Sequence, residues 1–231
     1  MPLISIIIPT YNEAGKIARL VSYLYQHSHP TMTEILVIDG GSTDNTVQIA
    51  RNSGAVSYIS PSKGRAAQMN YGADKASGDI LYFVHADSFP PTSFVQDIFS
   101  SIESGNDMGR YKTKFDSNKW LLKLNAFFTR FDWFMCYGGD QTLFITLKMF
   151  TKLGGFKEEM LIMEDYEFVK RARKVCKYKI LDGRALISAR KYDHNSWFKV
   201  QKANRTIVTM YKNGASQEQM VAIYKQMLTY R

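Results

Sequence analysis

The chain has 231 residues, 45% of them hydrophobic, with 30 Lys and Arg against 21 Asp and Glu and a net charge of +9. That length fits one α/β domain with at most a small appendage, and no apolar stretch reaches the ~18 residues of a membrane-crossing helix. A basic balance suits anionic partners, such as a nucleoside diphosphate or an anionic membrane surface, and no zinc-finger or RRM signature speaks for nucleic acid. Cys136 and Cys176 show no CxxC or metal-finger spacing and read as incidental or buried thiols in a reducing compartment. Met1-Pro2-Leu3 runs into a strand without a basic leader, so a cytoplasmic protein is expected.

Strands are predicted at residues 3–8, 35–38, 56–59 and 80–85, with helices at 13–26, 44–52, 64–76 and 92–104. The strands are short, apolar and β-branched, as expected where both faces of a sheet are covered. Alternating β and α segments argue for an α/β fold with a mostly parallel, doubly wound sheet. After Gly109 the alternation breaks. Residues 110–116 alternate like an exposed strand, and residues 120–135 form an amphipathic helix with Trp120, Leu124, Phe127, Phe131 and Phe134 at helical spacing. That aromatic face can pack on the sheet, or it can meet lipid, an acceptor or a second copy of the chain.

A strand at 142–146 precedes a short helix at 148–153 and the Gly154-Gly155 turn. The densest basic stretch, residues 170–190, reads mainly as solvated faces of a helix and strands. Two helices close the chain, at 197–212 and at 217–230, the second opened by a Ser216–Gln219 capping box. Their basic residues can pack on the domain or lie on a membrane surface.

The polar residues that end the apolar runs carry the chemistry. In an open parallel sheet the carboxyl ends of neighbouring strands share one crevice, so Asp39, Asp87 and their loops should meet there. Asp39 accepts but cannot donate, which suits the N–H groups of a nucleotide base, and Gly40-Gly41 let the backbone turn beside a ligand. Pro9, Thr10, Asn12 and Glu13 follow the first strand, where Thr10 and Glu13 can meet base or ribose hydroxyls. Lys63 and Arg65 flank Gly64 at a helix start that already favours anions, so Arg65 is assigned to the base or the diphosphate.

Asp87 can supply the carboxylate that Mg²⁺ or Mn²⁺ takes alongside substrate phosphates, with His85 two residues earlier better suited to Mn²⁺. Glu164 and Asp165 open a helix, and a carboxylate there can take a proton as a general base. Arg190 can reach the diphosphate. Each acid also has a plain reading as a helix cap or first-turn charge.

The ordered set Pro9-Thr10-Tyr11-Asn12-Glu13, Asp39-Gly40-Gly41-Ser42-Thr43-Asp44-Asn45-Thr46, Gly64-Arg65 with Gln68, Asn70 and Gly72, His85-Ala86-Asp87, Gly139-Asp140-Gln141 and Glu164-Asp165 resembles the family 2 glycosyltransferases. The likeness covers roughly residues 3–195 and is strongest to small stand-alone members with an HAD metal motif and a GDQ segment. It implies the nucleotide-diphospho-sugar (GT-A) fold over 1–195, with 196–231 as a helical extension packed on the same domain. It implies a nucleoside-diphosphate-sugar donor, a divalent metal at Asp87 and His85, and inversion at the anomeric carbon. It implies Asp165 as the general base, with Glu164 the near alternative. It also implies nucleotide-sugar contacts from Ala86 beside the residues above, and acceptor or sugar contacts from Asp140 and Gln141. The acceptor is unspecified; the aromatic helix and basic tail leave room for a lipid-linked one and for peripheral membrane association. Two rivals stay open, a nucleotidyltransferase and a non-catalytic nucleotide-sugar scaffold.

Overall fold

In the computed structural model, residues 3–137 and 142–229 are described. The first strand, β1 (Ile4–Thr10), is buried along its whole length. Successive side chains of a strand point to opposite faces, so one apolar run feeds two cores. Ile4, Ile6 and Ile8 enter one cluster with Ile35 and Val37 of β2 (Thr33–Asp39). Ile7 enters the other with Leu36 and Ile38.

The first core is closed by α1 (Ala14–Gln26), α2 (Thr46–Asn52) and, further on, α4 (Phe94–Glu103), through residues such as Leu20, Ala50 and Ile98. The second is closed by α3 (Arg65–Lys75), which reaches the sheet after β3 (Val56–Ile59). Gly72 permits that contact: a Cβ there would stand 2.5 Å from Ile7 Cγ2 and 3.0 Å from Ile38 Cγ1. The next strands are β4 (Ile80–Phe83) and the two-residue β5 (Ser88–Phe89).

The later strands are β6 (Met108–Phe115), β7 (Leu143–Thr146) and β8 (Tyr178–Ile187), and the eight-stranded order is β3-β2-β1-β4-β7-β6-β8-β5. β3, β2, β1 and β4 run parallel. β7 runs antiparallel to both neighbours, while β6 and β8 are parallel to each other. The expected α/β fold with a mostly parallel sheet is present, and the carboxyl ends of β1, β2 and β4 share one edge.

Two expectations for the middle of the chain fail. The segment 110–116 is an interior strand: β6 lies between β7 and β8, and Arg110, Tyr111 and Thr113 are buried. The aromatic helix ends early, as α5 (Trp120–Phe128). The N–H groups of Thr129, Arg130 and Phe131 turn to carbonyls three residues back, and Arg110 keeps the helix from running on to 135. Its guanidinium donates to the carbonyls of Thr129 (2.7 Å) and Phe131 (3.1 Å), so these acceptors are taken by a buried cation. Nor does α5 bury its apolar face in the core, since only Leu122 is buried.

After β7 come α6 (Leu147–Leu153), ended by Gly154 in the left-handed region at φ 73°, and α7 (Glu164–Ala172). Both pack on the second core through Phe150 and Phe168. The basic stretch 170–190 becomes the end of α7 and β8. The last helices, α8 (Trp197–Lys212) and α9 (Gln217–Met227), pack through Ile207 and Met220 on Met160 and Met163, beside the start of α7. The expected capping box forms between Ser216 and Gln219. Cys136 and Cys176 are free and buried. Among the described residues no helix is long and apolar enough to cross a membrane.

Candidate active site

The loops after β1 and β2 are interlocked by short polar side chains. The Asn12 N–H donates to Ser42 Oγ at 2.8 Å, and Asn12 Oδ1 accepts from the Thr43 N–H at 2.9 Å. The Glu13 N–H donates to Thr46 Oγ1 at 2.9 Å, and the Ala14 N–H to Asp44 at 3.2 Å. Hydrogen bonds from the Thr46 hydroxyl, then from the Thr46 and Ala14 N–H groups, hold the Asp44 carboxyl below the usual carboxylate range. Asn12 adopts φ 53°, which Asn tolerates better than most residues.

Asp39 sits at the tip of β2 and is buried. Its Oδ2 accepts from the Gly41 and Ser42 N–H groups at 2.9 and 2.7 Å, and its Oδ1 from Ser42 Oγ at 2.5 Å. Thr10 Oγ1 lies 3.5 Å from the same Oδ1. A carboxylate has about four lone-pair sites, and these donors engage them; the Thr10 hydroxyl, with one proton, can donate to Ile38 O (3.4 Å) instead, which frees one site on Asp39 for a ligand N–H. Gly41 takes φ 88°, which turns the chain back over the carboxylate.

Gln68 completes this side. Its Nε2 donates to Thr10 O (2.8 Å) and Ile38 O (2.7 Å), tying the ends of β1 and β2 together. Gly40 lies against that amide, which would be 3.1 Å from a Cβ there. Asn70 instead holds the turn after α6, accepting from the Phe156 N–H at 2.8 Å. Thus Gln68, Asn70 and Gly72 are three structural ties on one helix.

The opposite side is built from ion pairs. Arg190, in a 3₁₀ turn at Arg190–Tyr192 after β8, places Nη2 2.7 Å from Glu13 Oε1 and Nε 3.1 Å from Asp87 Oδ2. One guanidinium therefore bridges the acid after β1 and the acid after β4. Arg65, at the start of α3, places Nη2 2.6 Å from Glu164 Oε1, with Arg65 44% exposed and Glu164 only 1%. Glu164 and Asp165 open α7 directly after Met163, whose φ of 68° is strained for a non-glycine residue, by ~1–3 kcal/mol. Among the described residues, Asn12 and Met163 are the two non-glycines in this region of backbone space, and both adjoin the site.

Lys63 is exposed beside Gly64, and Pro9 and Thr10 are the last two residues of β1. Ala86 turns its methyl into the first core, so it can offer a ligand only its backbone. His85 is partly buried, and its carbonyl accepts from the Ser88 N–H at 2.9 Å. Asp140 and Gln141 lie outside the described residues. Asp116, missed as a site-building residue, accepts from the Ala189 N–H at 2.5 Å and so positions the turn carrying Arg190. Its signal was in plain view: like Asp39, it is an acid where a strand ends.

Among the described residues no group of three or more His, Cys, Asp and Glu side chains is gathered to hold a metal. A hard cation that takes one or two carboxylates plus substrate phosphates needs no such group. Asp87 fits that demand, because its carboxylate already faces a cationic group, the Arg190 guanidinium.

The sequence model of Glycosyl transferase family 2 matches residues 5–157, about two thirds of the chain and all of the loops just described except those after β8 and before α7. The chain belongs to glycosyl transferase family 2. Two family relatives illustrate the range. Glycosyltransferase AglE of Haloferax volcanii is 32% identical over 109 residues, 44% of this chain and 36% of AglE. An uncharacterized glycosyltransferase of Mycobacterium tuberculosis is 28% identical over 197 residues, 76% of this chain and 70% of the relative. The chain thus spans little more than a third of AglE's length. Among solved structures, the mannosyltransferase PcManGT from Pyrobaculum calidifontis, in complex with GDP-Man and Mn²⁺, superposes with a TM-score of 0.70 at 15% identity. That superposition covers 98% of this chain and 70% of PcManGT. The family's GT-A fold is therefore this chain's fold.

Proposed function

We propose that the protein transfers a sugar from a nucleoside-diphosphate sugar to an acceptor hydroxyl or a lipid phosphate, with a divalent metal and inversion at the anomeric carbon. The observation that carries this reading is the Glu13–Arg190–Asp87 bridge at the carboxyl edge of the sheet. It supports the reading because the acid proposed for the ribose, the cation proposed for the diphosphate and the acid proposed for the metal lie within the reach of one side chain.

Asp39 accepts from the base N–H, with Thr10 beside it, and Gly40 lets the base approach the backbone. Glu13 accepts from a ribose hydroxyl. Asp87, with His85, would hold Mn²⁺ or Mg²⁺, which supplies charge neutralisation to the diphosphate. Arg190 moves from the carboxylates to the diphosphate, exchanging one set of anionic partners for another from a side chain that is 52% exposed. Lys63 and Arg65 add positive charge at the start of α3.

Asp165 takes the acceptor proton as the acceptor oxygen bonds to the anomeric carbon. The bond from that carbon to the diphosphate breaks on the opposite face, and the diphosphate leaves with the electron pair. Glu164, buried and paired with Arg65, fixes the start of α7 and with it the position of Asp165. Asp165 is favoured over Glu164 as the base because Glu164 is the more deeply buried of the two, 1% exposed against 8%.

Calorimetric titration with UDP-, GDP- and TDP-sugars, with and without Mn²⁺, tests the reading. Metal-dependent binding of one donor, lost in Asp39→Ala and Asp87→Ala, supports it. Binding of a donor that never turns over with any acceptor favours the scaffold reading.

A further inference from the structure

We propose that the face built from α5, the loop after it and the β6–β8 ladder docks on an anionic lipid bilayer. This inference rests on surface chemistry and is independent of the glycosyl-transfer reading.

The aromatic content of the face is exposed. Trp120 is 69% and Trp133 52% accessible, and Leu124, Phe127 and Phe128 are exposed as well. The rings are already ordered: Phe131 stacks on Trp133 at 4.7 Å between centroids, and Phe128 on Trp133 at 5.9 Å. Exposed rings that cluster rather than scatter singly mark an interaction site.

The neighbouring charge says which kind. Between α5 and the β6–β8 ladder runs a cleft of about 530 Å³ whose lining includes Lys112, Lys114, Lys123, Arg130 and Arg184. Strand alternation collects the first two: Lys112 and Lys114 share a face of β6, opposite Arg184 and Leu186 of β8. The acids nearby are engaged. Asp116 accepts from the Ala189 N–H, Asp182 pairs with Lys112, and Asp132 pairs with Arg173. The Arg130 guanidinium lies 3.9 Å from the centroid of Phe127, so cation and ring meet at one point.

Aromatic side chains beside Lys and Arg are the composition of a surface that sits at headgroup level, with rings in the acyl boundary and cations on the phosphates. Protein–protein interfaces are enriched in aromatics and Arg but depleted of Lys, so Lys112, Lys114 and Lys123 along the cleft argue against a second copy as occupant. The face is also joined to the site: Lys119 Nζ donates to Tyr192 O at 2.9 Å, two residues after Arg190. A bilayer on α5 would therefore lie beside the turn that carries Arg190.

The test is co-sedimentation of the full chain with vesicles of phosphatidylcholine alone and of equal parts phosphatidylcholine and phosphatidylglycerol. Binding to the anionic vesicles is expected, weakening as salt is raised. It should fall at least about tenfold in the double variant Lys114→Glu/Lys123→Glu, and comparably in Phe127→Ser/Trp133→Ser. Each variant's melting temperature and donor titration check folding. Quenching of tryptophan fluorescence by brominated lipid in the unmodified chain gives a readout that no variant can compromise. Absence of binding to anionic vesicles, or equal binding by both variants, overturns the proposal. A dimer seen by sedimentation velocity, dissolved by Phe127→Ser/Trp133→Ser without any vesicle binding, also overturns it and gives the face to a second copy.

Discussion

The two sides of the site are held by different forces. On the nucleotide side, Asn12, Ser42, Asp44 and Thr46 join the loops after β1 and β2 through short side chains and backbone groups, and the buried Gln68 amide ties the two strand ends together. On the other side, Arg65–Glu164 and Glu13–Arg190–Asp87 are long side chains reaching across space, and both arginines are exposed. Short polar links lose little entropy when fixed, while Arg and Glu lose the most. On the proposed function, the nucleotide side is thus preformed and the opposite side exchanges partners when a diphosphate arrives.

Substitutions can break or sharpen this contrast. The largest effect is expected from Asp165→Asn. Loss of a general base should lower kcat by about 10²–10⁴-fold while donor binding, measured by calorimetry, stays intact. Normal turnover would move the base to Glu164 or another group. Asp87→Ala should remove the Mn²⁺ dependence of donor binding; an unchanged dependence would place the metal elsewhere.

Gln68→Ala strikes the preformed side. It deletes two buried hydrogen bonds and should cost about 2 kcal/mol in stability by urea denaturation, together with donor affinity. Arg190→Gln strikes the exchangeable side, with an expected stability change below ~1 kcal/mol but a clear loss of kcat/KM. Equal stability losses in these two variants would erase the distinction.

The smallest effect concerns acid. The folded-state pKa of Asp44 lies below its ordinary value, so its contribution is present above that value and is lost as pH falls through the folded one. The melting temperature should fall with acid less steeply in Asp44→Asn than in the parent chain.

Local pattern made much of the fold legible. The runs at β1, β2 and β4 are apolar on both faces because both are covered, and the caps at Ser216 and Gly154 obey local geometry. The residues 110–116 misled because Arg110, Lys112 and Lys114 look like a wet strand face. Arg110 is buried by its work on the carbonyls after α5, and its lysine neighbours line a cleft. No local signal distinguishes these cases, because burial of an arginine depends on acceptors about 20 residues away.

Sequence by itself determined which acids and glycines stand after which strands, because alternation and turn chemistry act over a few residues. It could not determine their partners. That Arg190 would bridge Glu13 and Asp87, that Arg65 would meet Glu164, and that α5 would turn its rings outward were decided by tertiary structure. Each of these outcomes depends on groups that only the crossing of the sheet by distant segments brings within contact.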